Sequence, residues 1–287
     1  MIKAKDLRIT TIIDNYTTSS EILGEWGFSV LLEAGTKTFL FDTGASEAAV
    51  SNADRLHLNL NKIDAIVLSH GHFDHTGGLL PVLQRIDRTD IRIIAHPDVM
   101  DRKYIDDEND EKYRYIGVPY RQDLLEQVGG HFEFQKKPVW LTKDIVASGE
   151  EPMMTDFESV SENLYFKDKD RFFPDPLLDE QSIYIRTDLG LIIILGCAHR
   201  GMINILHHAR ELMNTDKIHM VIGGTHLNPA SQKQIERTIQ SLKEINIPWI
   251  GVSHCTGLEV GARLANEFKG KFFFNSAGTI ITFPFRL

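Results

Sequence analysis

The sequence predicts an α/β protein built as a four-layer αββα sandwich, in which two β-rich halves are each clothed by helices. Three observations carry that expectation. Strand-like and helix-like patterns alternate in the first third of the chain and again after Gln181, with a charged and aromatic stretch between them. Several strand-like runs, among them "IDAIVLSH" and "LIIILG", hold short unbroken apolar stretches, as in buried strands. Glycine-containing turns and helical patterns follow these runs, so the chain passes from strand to helix through short junctions.

Taken in order, Leu7–Ile13 is β-branched and loosely alternating. "FSVLLEAGTKTFLFDTG" reads as strand, glycine turn, strand over Phe28–Glu33 and Thr38–Phe41. A helix is expected over Ser46–Leu56, a buried strand in "IDAIVLSH", a helix over Gly78–Ile86 and a strand in "IRIIAHP". Residues from about 101 to 179 break this rhythm with "MDRKYIDDENDEKYRY", one short helix and the proline-broken "DKDRFFPDP". They read as an insertion into a single domain spanning 1–287, serving as a lid, a dimer contact or a decorated surface. Regular patterning resumes with a hairpin in "SIYIRTDLGLIIILG". It continues through helices over Gly201–Leu212, Ser231–Glu244 and Val260–Phe268, strands in "KIHMVIGG" and "IPWIGVSH", and a final pair of short strands in "KFFFNSAGTIITF".

Composition narrows the function classes. The 287 residues carry a formal net charge of -9 and no evident run of Lys and Arg, so general attraction to a nucleic-acid backbone is not expected. The longest clean apolar stretch, Leu191–Leu195, is strand-sized, so no membrane-spanning helix is expected. "MIKAKDLRIT" has no apolar signal core, and Cys197 and Cys255 are the only cysteines, which points to a cytoplasmic protein without a disulfide framework.

The chemistry concentrates in "SHGHFDHTGG", Ser69–Gly78. His70 and His72 end a strand two residues apart and can share a face, and Asp74 and His75 follow in the turn into a helix. Gly71 allows close passage of the backbone. Imidazoles with a carboxylate suit zinc first, with manganese or iron also compatible, whereas calcium and magnesium favour oxygen shells. One short segment fits four such groups around two ions more naturally than around one, His70 and His72 on the first, Asp74 and His75 on the second. Later strand ends supply partners. His199 follows "LIIILGCA" and His254 follows "WIGVS", and both are expected as ligands. His226 in "VIGGTHL" is left open between ligand, substrate contact and support.

"SHGHFDHTGG" resembles the H-x-H-x-D-H signature of the metallo-β-lactamase superfamily, and "FLFDTG" is similar to the strand that precedes it there. The resemblance implies a one- or two-metal site at the edge between the two sheets. "GFSVLLEAG", "ASGEEP", "ILGCAHRGMINI", "IGGTHL" and "HCTG", in this order, resemble the branch of ribofuranosylaminobenzene phosphate synthases and metal-dependent hydrolases. Where many members carry a bridging aspartate, this chain has Gly196-Cys197. Cys197 is expected as a small buried residue under the site or a thiolate ligand, Asp42 as the acceptor behind a ligating imidazole, and Glu150 as a loop carboxylate facing either solvent or the site. The expected activity is hydrolysis of a small phosphoester or phosphodiester by metal-activated water, with Asp74 handling the proton of the nucleophile and His226 a candidate acid. A pterin-precursor synthase, an iron enzyme using oxygen and a binding module with a structural metal are the alternatives. The expected partner is a phosphate-containing small molecule, with a homodimer open.

Overall fold

The computed structural model describes residues 1–106 and 112–286. Two seven-stranded sheets face each other, and each is half antiparallel and half parallel. In the first sheet, Ile280–Thr282, Leu7–Ile13, Ser29–Ala34 and Lys37–Phe41 run antiparallel, then Ala65–Val67, Ile91–Ala95 and Gly130–Phe134 continue in parallel. The second repeats the plan. Phe272–Phe274, Trp249–Ser253, Ile218–Gly224 and Gly190–Leu195 are parallel, and Ile183–Thr187, Ile145–Ala147 and Val139–Thr142 complete it in antiparallel.

Three apolar layers separate four layers of elements. Val30, Leu32, Phe39 and Phe41 meet Ile183, Ile185, Ile192 and Ile194 between the sheets. Residues of opposite parity, such as Leu31, Leu40 and Ile66, pack outward against Ala49, Val82 and Leu83 of the first sheet's helices. Ile193 and Val221 do the same against Met202–Leu212, Gln232–Ile245 and Leu258–Glu267 on the other side. With both faces covered, the strands have no polar face to present, which is why they read as continuous apolar runs. The Ser231 side chain accepts a hydrogen bond from the Gln234 N–H and so caps the head of Gln232–Ile245.

Two local expectations change. Phe272–Phe274 and Ile280–Thr282 are both strands, but they belong to different sheets, so the chain crosses the sandwich between them. Residues 101–179 contribute to all three sheets. Gly130–Phe134 and Val139–Ala147 carry strands of the two main ones, while Lys103–Ile105, Arg114–Tyr115, Leu164–Asp168 and Arg171–Pro174 form a separate four-stranded antiparallel sheet. Among the described residues, no helix is long and apolar enough to cross a membrane.

Glu158 ties the segment before the strand Leu164–Asp168 to the helix Met202–Leu212, accepting hydrogen bonds from the Ile203 and Asn204 N–H groups at 2.8 and 2.7 Å. Burial pushes its pKa from 4.5 up to about 7 against the pull of those donors. The folded chain therefore holds this proton more tightly than the unfolded chain. The contribution is complete below about 4.5 and is lost as pH rises through about 7. Denaturant unfolding should give a lower free energy at about pH 8 than at about pH 5, and Glu158→Gln should shrink that difference by on the order of 2 kcal/mol. Identical pH slopes in the two proteins would contradict the assignment.

Candidate metal centre

Both sheets deliver their functional residues at the same edge, beyond the C-terminal ends of the parallel strands. Asp42 follows Lys37–Phe41, and Ser69 and His70 follow Ala65–Val67. Cys197 and His199 follow Gly190–Leu195, His226 follows Ile218–Gly224, and His254 follows Trp249–Ser253. His70, His72, Asp74, His75, Cys197, His199, His254 and Cys255 are all buried.

Backbone geometry is what lets so many side chains converge. Asp42, Ala198, His226 and His254 adopt positive φ, at 58, 56, 46 and 50°. Such values are uncommon for residues with a Cβ and are held here only because the surrounding junctions enforce them. Gly71 is required for a different reason: a Cβ there would lie 2.1 Å from the Val99 carbonyl oxygen.

The ring nitrogens are sorted by their outer partners. His75 Nδ1 lies 2.6 Å from Asp42 Oδ2, and its Nε2 points to Cys197 Sγ at 3.0 Å. His254 Nδ1 pairs with Asn15 Oδ1 at 2.8 Å, and its Nε2 sits 3.1 Å from Asp74 Oδ2. Ser69 Oγ donates to Asp42 at 2.6 Å and meets His70 Nδ1 at 2.8 Å. The inward nitrogens then face one another: His70 Nε2 and His72 Nδ1 are 3.0 Å apart. Both ring nitrogens of His199 and Nδ1 of His226 are buried without a protein partner.

Burial holds His70, His72 and His199 well below the ordinary imidazole range, so they stand neutral. Burial alone would also lower His75, but the Asp42 carboxylate lifts it to about 9. Burial would raise Asp74, yet the hydrogen bond from His254 and the neighbouring imidazoles hold it well below the usual carboxylate range. Burial pushes the Cys197 thiol up, so its thiolate form needs a cation in contact.

Neutral imidazoles aimed inward, unpartnered buried nitrogens and a thiol form a donor set that suits a transition metal. The ligand atoms of His70, Cys197 and His199 lie within 4.8 Å of one another, and so do those of His75, Cys197 and His254. Cys197 with His226 and Cys255 makes a third such group. His72 and Asp74 flank the first two groups through their contacts with His70 and His254. Of the residues singled out in the sequence, only Glu150 lies elsewhere, bonded to His96 at 3.0 Å.

Sequence reasoning missed the residues that orient the ligands. Asp14 accepts the His254 N–H at 2.6 Å, and Asn15 fixes its ring. Asp179, Glu180 and Gln181 each hold a different ligand-bearing turn. Asp179 takes the Gly71 N–H, Glu180 takes those of His199 and Arg200, and Gln181 bonds the Leu68 carbonyl. Their only signal was a pair of acidic residues just before a strand.

A cavity of about 410 Å³ opens directly onto this cluster. Trp26, Phe73, Ile105, Ile116 and Leu164 give it an apolar wall, facing His72, Asp74 and His226. A smaller polar cavity of about 210 Å³ touches the other side of His199 and His226.

Residues 27–141 match the family model of the metallo-beta-lactamase superfamily. The chain is 31% identical over 290 residues to the 7,8-dihydropterin-6-methyl-4-(beta-D-ribofuranosyl)-aminobenzene-5'-phosphate synthase of Methanocaldococcus jannaschii, covering 98% of each chain. The crystal structure of Tm1679, a metal-dependent hydrolase of the beta-lactamase superfamily, matches with TM-score 0.82 and 29% identity over 96% of this chain and 98% of that one. The metallo-beta-lactamase fold protein YhfI from Bacillus subtilis matches in fold, with TM-score 0.56 and 13% identity over 96% of this chain and 98% of that one.

Metal analysis of the purified chain should find transition-metal ions, and His199→Ala and His254→Ala should each lower the content. Cobalt-loaded wild type should show a near-ultraviolet sulfur-to-metal band that Cys197→Ser removes. Unchanged metal content in both histidine variants would refute this ligand set.

Proposed function

The chain belongs to the metallo-beta-lactamase superfamily, and from that premise we propose a metal-dependent hydrolase that cleaves a small phosphoester or phosphodiester. The observation that carries the reading is the apolar cavity opening on the inward-facing imidazoles and Asp74, because it places substrate volume against a donor set with room for further ligands. On this reading His70, His72 and His199 would hold one ion, and Asp74, His75 and His254 the other, with Cys197, in reach of both groups, as a further donor. A bound transition-metal pair supplies Lewis acidity and lowers the pKa of water. Zinc fits the nitrogen and sulfur donors best.

The protein's own groups then have separable tasks. Asp42 and Asn15 fix the tautomers of His75 and His254, so each presents Nε2 inward. Asp74 stays ionised, faces the cavity and accepts the proton released as the nucleophile attacks. His226, with Nδ1 unpartnered and both cavities beside it, donates a proton to the leaving oxygen. Trp26, Phe73 and Leu164 exclude water and offer a surface to a flat ring.

A second reading is favoured by the full-length match to the aminobenzene phosphate synthase: the same cavity would bind an aminobenzene ring. Both readings need a phosphate-bearing substrate.

Purified protein loaded with zinc, manganese or iron should turn over a phosphomonoester or phosphodiester, and chelation should abolish it. Asp74→Asn should lower kcat by about 10²-fold or more. Formation of a ribofuranosyl-aminobenzene phosphate without ester hydrolysis would select the synthase. Turnover confined to lactams or thioesters would reject both.

A further inference from the structure

Lys103 is the first residue of Lys103–Ile105, an inner strand of the small antiparallel sheet, and it is 1% exposed. Its Nζ donates to Asp175 Oδ2 at 2.8 Å and to Asp179 Oδ1 at 3.0 Å, and both carboxylates are buried. The second oxygen of Asp179 accepts the Gly71 N–H at 2.8 Å. Gly71 is the residue between His70 and His72. A second line of contacts runs parallel to the first. The Ile116 N–H donates to the Lys103 carbonyl at 2.9 Å, and the Ile116 carbonyl accepts the Phe73 N–H at 2.8 Å, at the first residue of the helical turn that carries Asp74 and His75. Asp175 closes the loop from the other side, its N–H donating to the carbonyl of Leu164 on the neighbouring strand at 2.8 Å.

We infer that Lys103, Asp175 and Asp179 are positioning residues that lock the small sheet to the His70–His75 turn, so that order in this sheet and metal affinity are coupled. The inference rests on the metal-site reading above. It assigns the sheet a task beyond walling the cavity with Ile105 and Leu164. A buried ammonium shared by two carboxylates is a costly arrangement, and removing Lys103 leaves both carboxylates buried without their cation, so the ammonium holds the two acids at one spacing. Through Asp179 that geometry fixes the height of the Gly71 amide, and with it the spacing of two imidazoles. Reciprocity follows: whatever the sheet contributes to metal affinity, bound metal returns to the sheet as protection.

The test begins with the wild-type chain and needs no variant. Zinc added to the metal-free protein should slow amide hydrogen exchange in Lys103–Ile105 and Leu164–Asp168 as well as in the His70–His75 turn. Protection confined to the turn overturns the inference while leaving the metal site intact. Failure to bind metal at all overturns the metal-site reading instead. Lys103→Met should then weaken zinc, measured by chelator competition, by about 10- to 100-fold, and alter the visible spectrum of the cobalt form. Leu125→Ala, a core truncation under the helix Gln122–Gln127, should lower stability without moving either readout. Equal loss of zinc affinity in both variants would reduce Lys103 to a general stabiliser and sink the proposal.

Discussion

His70 Nε2 and His72 Nδ1 stand 3.0 Å apart in a buried pocket, with His199 edge-on to both rings. Burial keeps these imidazoles neutral, so each carries one ring nitrogen with a lone pair to offer. Hydrogen bonding within the protein leaves both nitrogens of His199 unsatisfied. A buried polar atom without a partner costs roughly 1–3 kcal/mol. A cation at the centre turns the same crowding into coordination, and most of the surrounding architecture follows from making that crowding possible.

The two sheets bring their C-terminal strand ends to one edge, and the apolar layers hold them there. The cost of convergence is carried by the backbone. Ala198, His226 and His254 take positive φ at successive junctions of the second sheet, and Asp42 does so in the first. Carboxylates and amides behind the ligands then complete the arrangement: Asp42 for His75, Asn15 and Asp14 for His254, Asp179 for the Gly71 amide, Glu180 for His199. These outer groups come from three distant stretches of the chain, 14–15, 42 and 179–180. The site is therefore a product of the whole sandwich rather than of its motif alone.

How much of this was legible depended on sequence distance. The four-layer plan could be read because buried strands and amphipathic helices leave periodic signatures. His70, His72, Asp74 and His75 were readable because they are contiguous, and His199, His226 and His254 because each ends a strand pattern. Partners at long range left no such trace. Asp14 reaches His254 across 240 residues, and Lys103 reaches Asp179 across 76. Only tertiary topology makes those pairs. The same limit explains Phe272–Phe274 and Ile280–Thr282, whose local pattern marks two strands but not which sheets receive them. Cys197 was ambiguous on chemical grounds, since a small buried cysteine and a ligating one look alike in sequence. The structure sets its sulfur within reach of His75 on one side and of His70 and His199 on the other.

The most direct measurement is an anomalous-scattering map from crystals of the metal-loaded protein, collected on both sides of the absorption edge. The account predicts peaks at about 2.0–2.3 Å from the inward nitrogens of His70, His72, His199, His75 and His254 and from Cys197 Sγ. Peaks elsewhere, or a loaded site in which these side chains have turned away, would contradict it.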